Sequence, residues 1–294
     1  MTDRDTDLPG PNDPYEVEPG RVLVQVRAGA AHPVALEAAI HLAQALHSEL
    51  EGLLFEDQQL LDLASFPFAR EISFSGRHSR ALSRDDLERD THLALAAVRR
   101  RMEALARQAR VPHRLRVVRE EPLAALSQAC SACAAWNVLA LAEPFDPSIA
   151  ARVHALITQL HTITGLLLVG PRSRRAPGPV VVALEEAERL PIMLRAAQQL
   201  HAAQGERIII YIIAEGEEQI GHIEGQVRLT VGRQANISIT SGLTTRGDVR
   251  VLAEDLRRLK SGFIIAEYGG ILVPGGSDLR HLAAALECPM LIMR

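Results

Sequence analysis

Residues 21–46 return 158 positions later, altered but in register. Laying "RVLVQVRAGAAHPVALEAAIHLAQAL" on "PVVVALEEAERLPIMLRAAQQLHAAQ" matches Val22 to Val180, Val24 to Val182, Pro33 to Pro191, Leu36 to Leu194 and Leu42 to Leu200. The same shift sets "LEGLLFED" (50–57) on "IIIYIIAE" (208–215) without a gap. Farther along, "LALAE" (139–143) falls on "FIIAE" (263–267) at a shift of 124, and "LLLVG" (166–170) on "PMLIM" (289–293) at 123. An internal repeat constrains the fold more than any local propensity, because both copies must be read as one unit used twice. The drop from 158 to 124 leaves about 34 extra residues in the first copy, within about 56–92.

Each copy alternates apolar runs with helical periodicity. "RVLVQV" reads as a buried strand, and Pro33 opens a helix at a position where its missing N–H costs nothing. Leu36, Ile40, Ala43 and Leu46 form one stripe along that helix. Further strands are expected at "LEGLLF", 114–118, 137–142 and 166–170, with helices near 85–109, 122–135 and 147–162. The second copy places strands near 179–184, 207–214, 236–240, 262–266 and 289–293, with helices near 189–203, 217–233, 246–260 and 277–286. Five strands with intervening helices predict a parallel sheet with right-handed crossovers in each copy. Apolar residues make up 47% of the chain but aromatics only 3%, so the cores must be aliphatic, as suits helices packed on parallel strands.

The link "GPRSRRAPGP" (170–179) is the natural boundary. The expected organisation is a disordered tail at 1–19, rich in Pro, Gly and Asp, and a first domain at 20–171 carrying the insertion. A linker at 172–178 and a second domain at 179–294 complete it. A net charge of −4 gives no global drive toward nucleic acid or an anionic membrane. No apolar run approaches the roughly 20 residues of a membrane span. The N-terminus has no signal-peptide pattern, and three cysteines do not make a disulfide framework, so a cytoplasmic location is expected.

The order of elements resembles the universal stress protein family, in particular a tandem two-domain member. The resemblance is carried by "GGSDLRHLAAALECPMLIM", where Gly276-Ser277 and Cys288-Pro289 stand at the family's separation, and by the opening helix "HPVALEAAIHLAQAL". It implies two doubly wound α/β domains, each a five-stranded parallel sheet of order 3-2-1-4-5 with helices on both faces. One branch of the family binds ATP and another does not. Fifth strands often meet across a dimer axis in the family, a contact a tandem chain can make within itself, between what we expect to be two separate sheets.

The phosphate question centres on Gly275, Gly276 and Ser277. Backbone N–H groups at a helix N-terminus attract phosphate, and glycines let it approach. The same residues also read as a plain turn with Ser277 as helix N-cap. The family's nucleotide loop has Gly, two residues, Gly, nine residues, then Gly-Ser or Gly-Thr. Counting back from Gly276, the first two glycines would fall at Phe263 and Ala266 and are absent. The acid expected after the first strand is absent too: Arg27 stands there in the first copy and Leu184-Glu185 in the second. The resemblance therefore implies a degenerate nucleotide motif, with no ATP binding in the first copy and at most weak binding in the second.

Other chemistry finds little support. Cys130 and Cys133 lie inside a helix that starts at Pro122, away from the N-terminal position a redox pair uses, and they read as packing residues. The 11 His show no metal spacing, and no nucleophile motif occurs. Arg99–Arg101 share their helix with Glu88, Asp90 and Glu103 and read as a solvated face. The insertion holds Phe66, Phe68 and Phe74, half of the six Phe in the chain, so it should bury them within the chain, leaving Arg70 and Arg77 solvated, or dock on a second copy or a protein partner. The expectation is a non-enzymatic stress-response or regulatory module without metal or resident cofactor. Its alternatives are an ATP or AMP sensor through Gly275–Ser277 and an adaptor on a transporter or kinase.

Overall fold

The computed structural model describes residues 20–27, 33–56, 58–73, 75–119, 122–131, 136–142, 154, 157–158, 163–174, 177–204, 207–232, 234–243 and 249–294. The tail at 1–19, Phe74, Cys133 and most of the expected helix at 147–162 lie outside them.

The first half runs β1 (Arg21–Arg27), α1 (Pro33–Ala45), β2 (Glu49–Phe55), α2 (Gln58–Leu63), β3 (Arg70–Ile72), β4 (Ser79–Ala81), α3 (Arg84–Gln108), β5 (His113–Val118), α4 (Pro122–Ser131), β6 (Asn137–Ala142) and β7 (Ile163–Val169). The second half runs β8 (Val180–Leu184), a 3-10 turn at Ala187–Arg189, α5 (Leu190–Gln204), β9 (Ile208–Ala214), α6 (Glu217–Val231), β10 (Ile237–Leu243), α7 (Val249–Arg258), β11 (Phe263–Glu267), α8 (Leu279–Ala285) and β12 (Met290–Met293).

Ten strands form one sheet in the order β10-β9-β8-β11-β12-β7-β6-β1-β2-β5. Each half has the expected 3-2-1-4-5 order and is parallel throughout. The register repeats as well: Val22 faces Leu50 as Val180 faces Ile208, the 158-residue shift seen in three dimensions. The expectation of two separate sheets is corrected. The fifth strands β7 and β12 pair antiparallel, Met290 with Leu168 and Ile292 with Leu166, and fuse the halves edge to edge. Both strands are apolar and buried on both faces, so an open edge at either would expose Leu166–Val169 or Met290–Ile292.

The fourth- and fifth-strand equivalences move by one residue from those read in the sequence. Val138 and Phe263 lie on the same sheet face as Val22 and Val180, whereas Leu139 lies on the opposite face with Ile264. Leu166 likewise corresponds to Met290. A one-residue slip exchanges the faces of a strand. Sequence comparison cannot detect the slip here because both faces are aliphatic and buried.

Helices cover both faces. One core contains residues of α1, α3, α5 and α6, and the other residues of α4, α7 and α8, each running across both halves. On the first face α1 and α5 pack together over the seam. On the other face glycine lets the end of β7 meet α8 of the second half: a Cβ on Gly170 would fall 1.8 Å from the Ala283 carbonyl oxygen. Toward the outer edge of the first half, buried Glu51 accepts from Arg21 of β1 at 2.9 Å and Arg114 of β5 at 2.6 Å.

The insertion consists of α2, the short antiparallel hairpin β3–β4, and the start of α3, which Ser83 caps by accepting from the Asp86 N–H. Phe66 and Phe68 do not dock intramolecularly as expected, and Phe74 lies outside the described residues. Phe66 is 49% exposed and Phe68 75% exposed, stacked on each other at 5.4 Å. Arg70 and Arg77 are exposed, as expected.

Candidate functional site

In a sheet of order 3-2-1-4-5 the chain reverses direction between strands 1 and 4, and ligands collect at the carboxyl ends of those strands. In the second half this crevice lies between β8 and β11. Glu185 follows β8, Glu267 ends β11, Arg189 comes from the 3-10 turn, and the loop 268–278 contains Gly275, Gly276 and Ser277.

Glu185 turns inward and is 6% exposed. Its carboxylate accepts from the backbone N–H groups of Ile271 and Leu272, the latter at 3.0 Å. Ile271, Leu272 and Val273 are buried, so these two donors need an acceptor, and the protein supplies its own. Gly270 makes room: a Cβ there would fall 2.2 Å from the Glu185 carboxylate. The loop is shaped around that group. Gly269 adopts φ +95 and donates to the Val273 carbonyl at 2.8 Å, closing a tight turn.

The predicted phosphate turn is brought near this crevice but not into it. Gly275, Gly276 and Ser277 are all exposed, with Gly276 at φ +77. Ser277 is not the N-cap of α8. Asp278 is, accepting from the Arg280 N–H at 3.0 Å and pairing with the Arg280 guanidinium at 2.7 Å. Those bonds hold its carboxyl down at about 2. A phosphate at the start of α8 would meet this carboxylate, and a helix of seven residues offers it little dipole. The Gly276 N–H donates to Tyr268 Oη at 3.3 Å, and that hydroxyl is hydrogen-bonded to His154 Nδ1 of the first half. The loop is thus tied across the seam.

Within the crevice Arg189 pairs with Glu267 at 2.8 Å. Burial raises the Glu267 carboxyl above its ordinary value; Arg189 opposes this and the nearby charges of Glu186 and Glu185 reinforce it. Three carboxylates against one guanidinium make the crevice acidic, the reverse of what a polyphosphate needs. In the sequence Glu185 stands out only as a departure from the family pattern, and its structural part is not visible there. The signal that could have found it is its place directly after the first strand, opposite a glycine pair at 269–270.

The corresponding crevice of the first half lies outside the described residues, which include neither 28–32 nor 143–153. A second, polar cleft of about 340 Å³ lies where the insertion meets the ends of β2 and β5. Its charges pair with each other, Glu56 with Arg119 and Arg84 with Glu88, both at 2.8 Å. Cys130 is fully buried, and burial pushes the Cys288 thiol up to about 11, so Cys288 offers no thiolate. Among the described residues no group of three or more His, Cys, Asp or Glu could hold a metal ion, and no helix is long and apolar enough to cross a membrane.

No protein-family model matches this sequence, and no curated protein matches it. Solved structures do. A universal stress protein from Archaeoglobus fulgidus superposes with a TM-score of 0.60 at 8% identity, covering 93% of this chain and 96% of that one. The cytoplasmic domain of a prokaryotic cation chloride cotransporter gives 0.58 at 13%, covering 93% and 95%. A protein of unknown function from Pseudomonas aeruginosa PAO1 gives 0.55 at 12%, covering 93% and 92%. At such identities the likeness is one of fold, and over nearly its whole length this chain has the fold of the universal stress proteins.

Proposed function

We propose that this chain is a non-enzymatic regulatory module of the universal stress type, built from two tandem domains, whose second nucleotide position is occupied by the protein's own carboxylates. The observation that carries this reading is Glu185. It neutralises the backbone donors of Ile271 and Leu272 from within, where a ligand anion would otherwise be needed. Asp278 does the same at the start of α8. The module then works by presenting surfaces, in a cytoplasmic stress response, rather than by turning over a substrate. The ATP or AMP sensor reading through Gly275, Gly276 and Ser277 is disfavoured by the same acidic crevice.

The adaptor reading has an observation of its own. Five large apolar residues between 60 and 72 are exposed: Leu60, Leu63, Phe66, Phe68 and Ile72. Phe66 and Phe68 stack on each other in solvent, and exposed apolar surface of this kind suits docking on another protein. The likeness to a transporter's cytoplasmic domain fits an adaptor role. Mass spectrometry of the chain purified under native conditions tests the main reading. It should release no stoichiometric nucleotide; one ATP or AMP per chain would establish the sensor instead.

A further inference from the structure

Among the described residues the fused sheet has two edge strands with no further neighbour, β5 and β10, and they are built differently. At one end β5 carries His113, Arg114 and Arg116 within six residues. Arg114 turns back onto Glu51, and Arg116 donates to the Ala125 carbonyl of α4 at 3.3 Å. Inward-turned charges of this kind protect an edge strand from pairing with another chain. At the other end β10, "ISITSGL", runs seven residues without a charge or a proline. Its neighbour on one side is β9, and no described strand lies on the other. Ser238, Thr240, Ser241 and Leu243 are exposed. Outward N–H and C=O groups on every second residue leave a ready template for one more strand.

We propose that β10 pairs antiparallel with β10 of a second copy of this chain, forming a two-fold dimer with one sheet continuous through both molecules. A second copy is the occupant that the two edges select. Pairing β10 with β5 of another molecule would be head-to-tail and open-ended, and the arginines of β5 oppose it. Pairing β5 with β5 sets like charges together. Only β10 with β10 both closes and sets no like charges together. The chain already joins like strands antiparallel at its own seam, β7 with β12. Leu243, 51% exposed, ends β10, and antiparallel pairing centred on Thr240 sets it opposite the half-buried Ile237 of the other copy.

Sedimentation velocity on the full chain tests this. Dimer is expected at concentrations up to about 100 μM, with Thr240→Lys weakening it by about tenfold or more. Circular dichroism of Thr240→Lys should retain the wild-type melt, and Ser238→Lys serves as a second variant if it does not. Phe68→Ala should leave the dimer unchanged. A wild-type chain that stays monomeric at that concentration overturns the proposal. So does a dimer that survives both lysine variants, or one that Phe68→Ala dissolves.

Discussion

The two halves have the same strand order and the same register between their first two strands, yet their differences lie at the carboxyl ends of those strands. After its second strand the first half adds α2, a hairpin and the start of α3, with Phe66 and Phe68 in solvent. The second half goes from β9 to α6 through two residues and spends its novelty on the loop after β11, closed around Glu185. One scaffold thus supports an outward-facing elaboration in one copy and an inward-facing one in the other. The sheet is the part both copies must keep, because its inner strands are buried on both faces; the loops are where they can diverge.

The seam on which this comparison rests gives the largest expected effect. Gly170→Ala places a Cβ 1.8 Å from the Ala283 carbonyl oxygen, where backbone must give, and should cost about 3 kcal/mol in urea unfolding. Gly275→Ala, in open space, should be close to neutral. If both are neutral, the halves are not locked as described.

Next comes the inward elaboration. Glu185→Ala removes the acceptor of two buried N–H groups and should destabilise by about 2 kcal/mol, measured by thermal melting. The outward elaboration should be silent by the same measure. Phe68→Ala, at a site 75% exposed, should shift stability by less than about 0.5 kcal/mol while abolishing any capture of a protein partner.

Two carboxylates give smaller effects of opposite sign. The Glu267 carboxyl is raised in the folded state, so its stabilising contribution is complete below its ordinary value of 4.5 and is lost as pH rises through the raised one. Glu267→Gln should therefore gain on wild type as pH increases. The Asp278 carboxyl is lowered to about 2, so its contribution is present above the ordinary 3.8 and is lost as pH falls toward 2. Asp278→Asn should trail wild type at neutral pH and converge with it in acid. Melting temperatures of both variants between about pH 2 and 7 check the two signs.

Much of this fold is legible in the sequence, because Val22, Leu50 and their counterparts 158 residues on carry the repeat in their apolar pattern. The fusion of the sheets is less so. Leu166–Val169 and Met290–Ile292 read as buried strands whether their cover is a helix, a second molecule or each other. The same evenness hid the one-residue slip in the fourth and fifth strands. At the candidate site, the absence of the family's glycines could be counted, but the role of Glu185 depends on a loop 86 residues away folding over it. The exposure of Phe66 and Phe68 is hidden for a different reason: composition says that apolar groups seek cover, not which molecule provides it.

Isothermal titration calorimetry of the wild-type chain with ATP and magnesium tests the central claim most directly. If Glu185 and Asp278 already hold the donors of the second crevice, no binding heat should appear up to about 1 mM ATP, and AMP should behave alike. A one-site isotherm with a Kd near 1 μM, lost in Gly276→Val, would show that the crevice is a working nucleotide site and contradict the account.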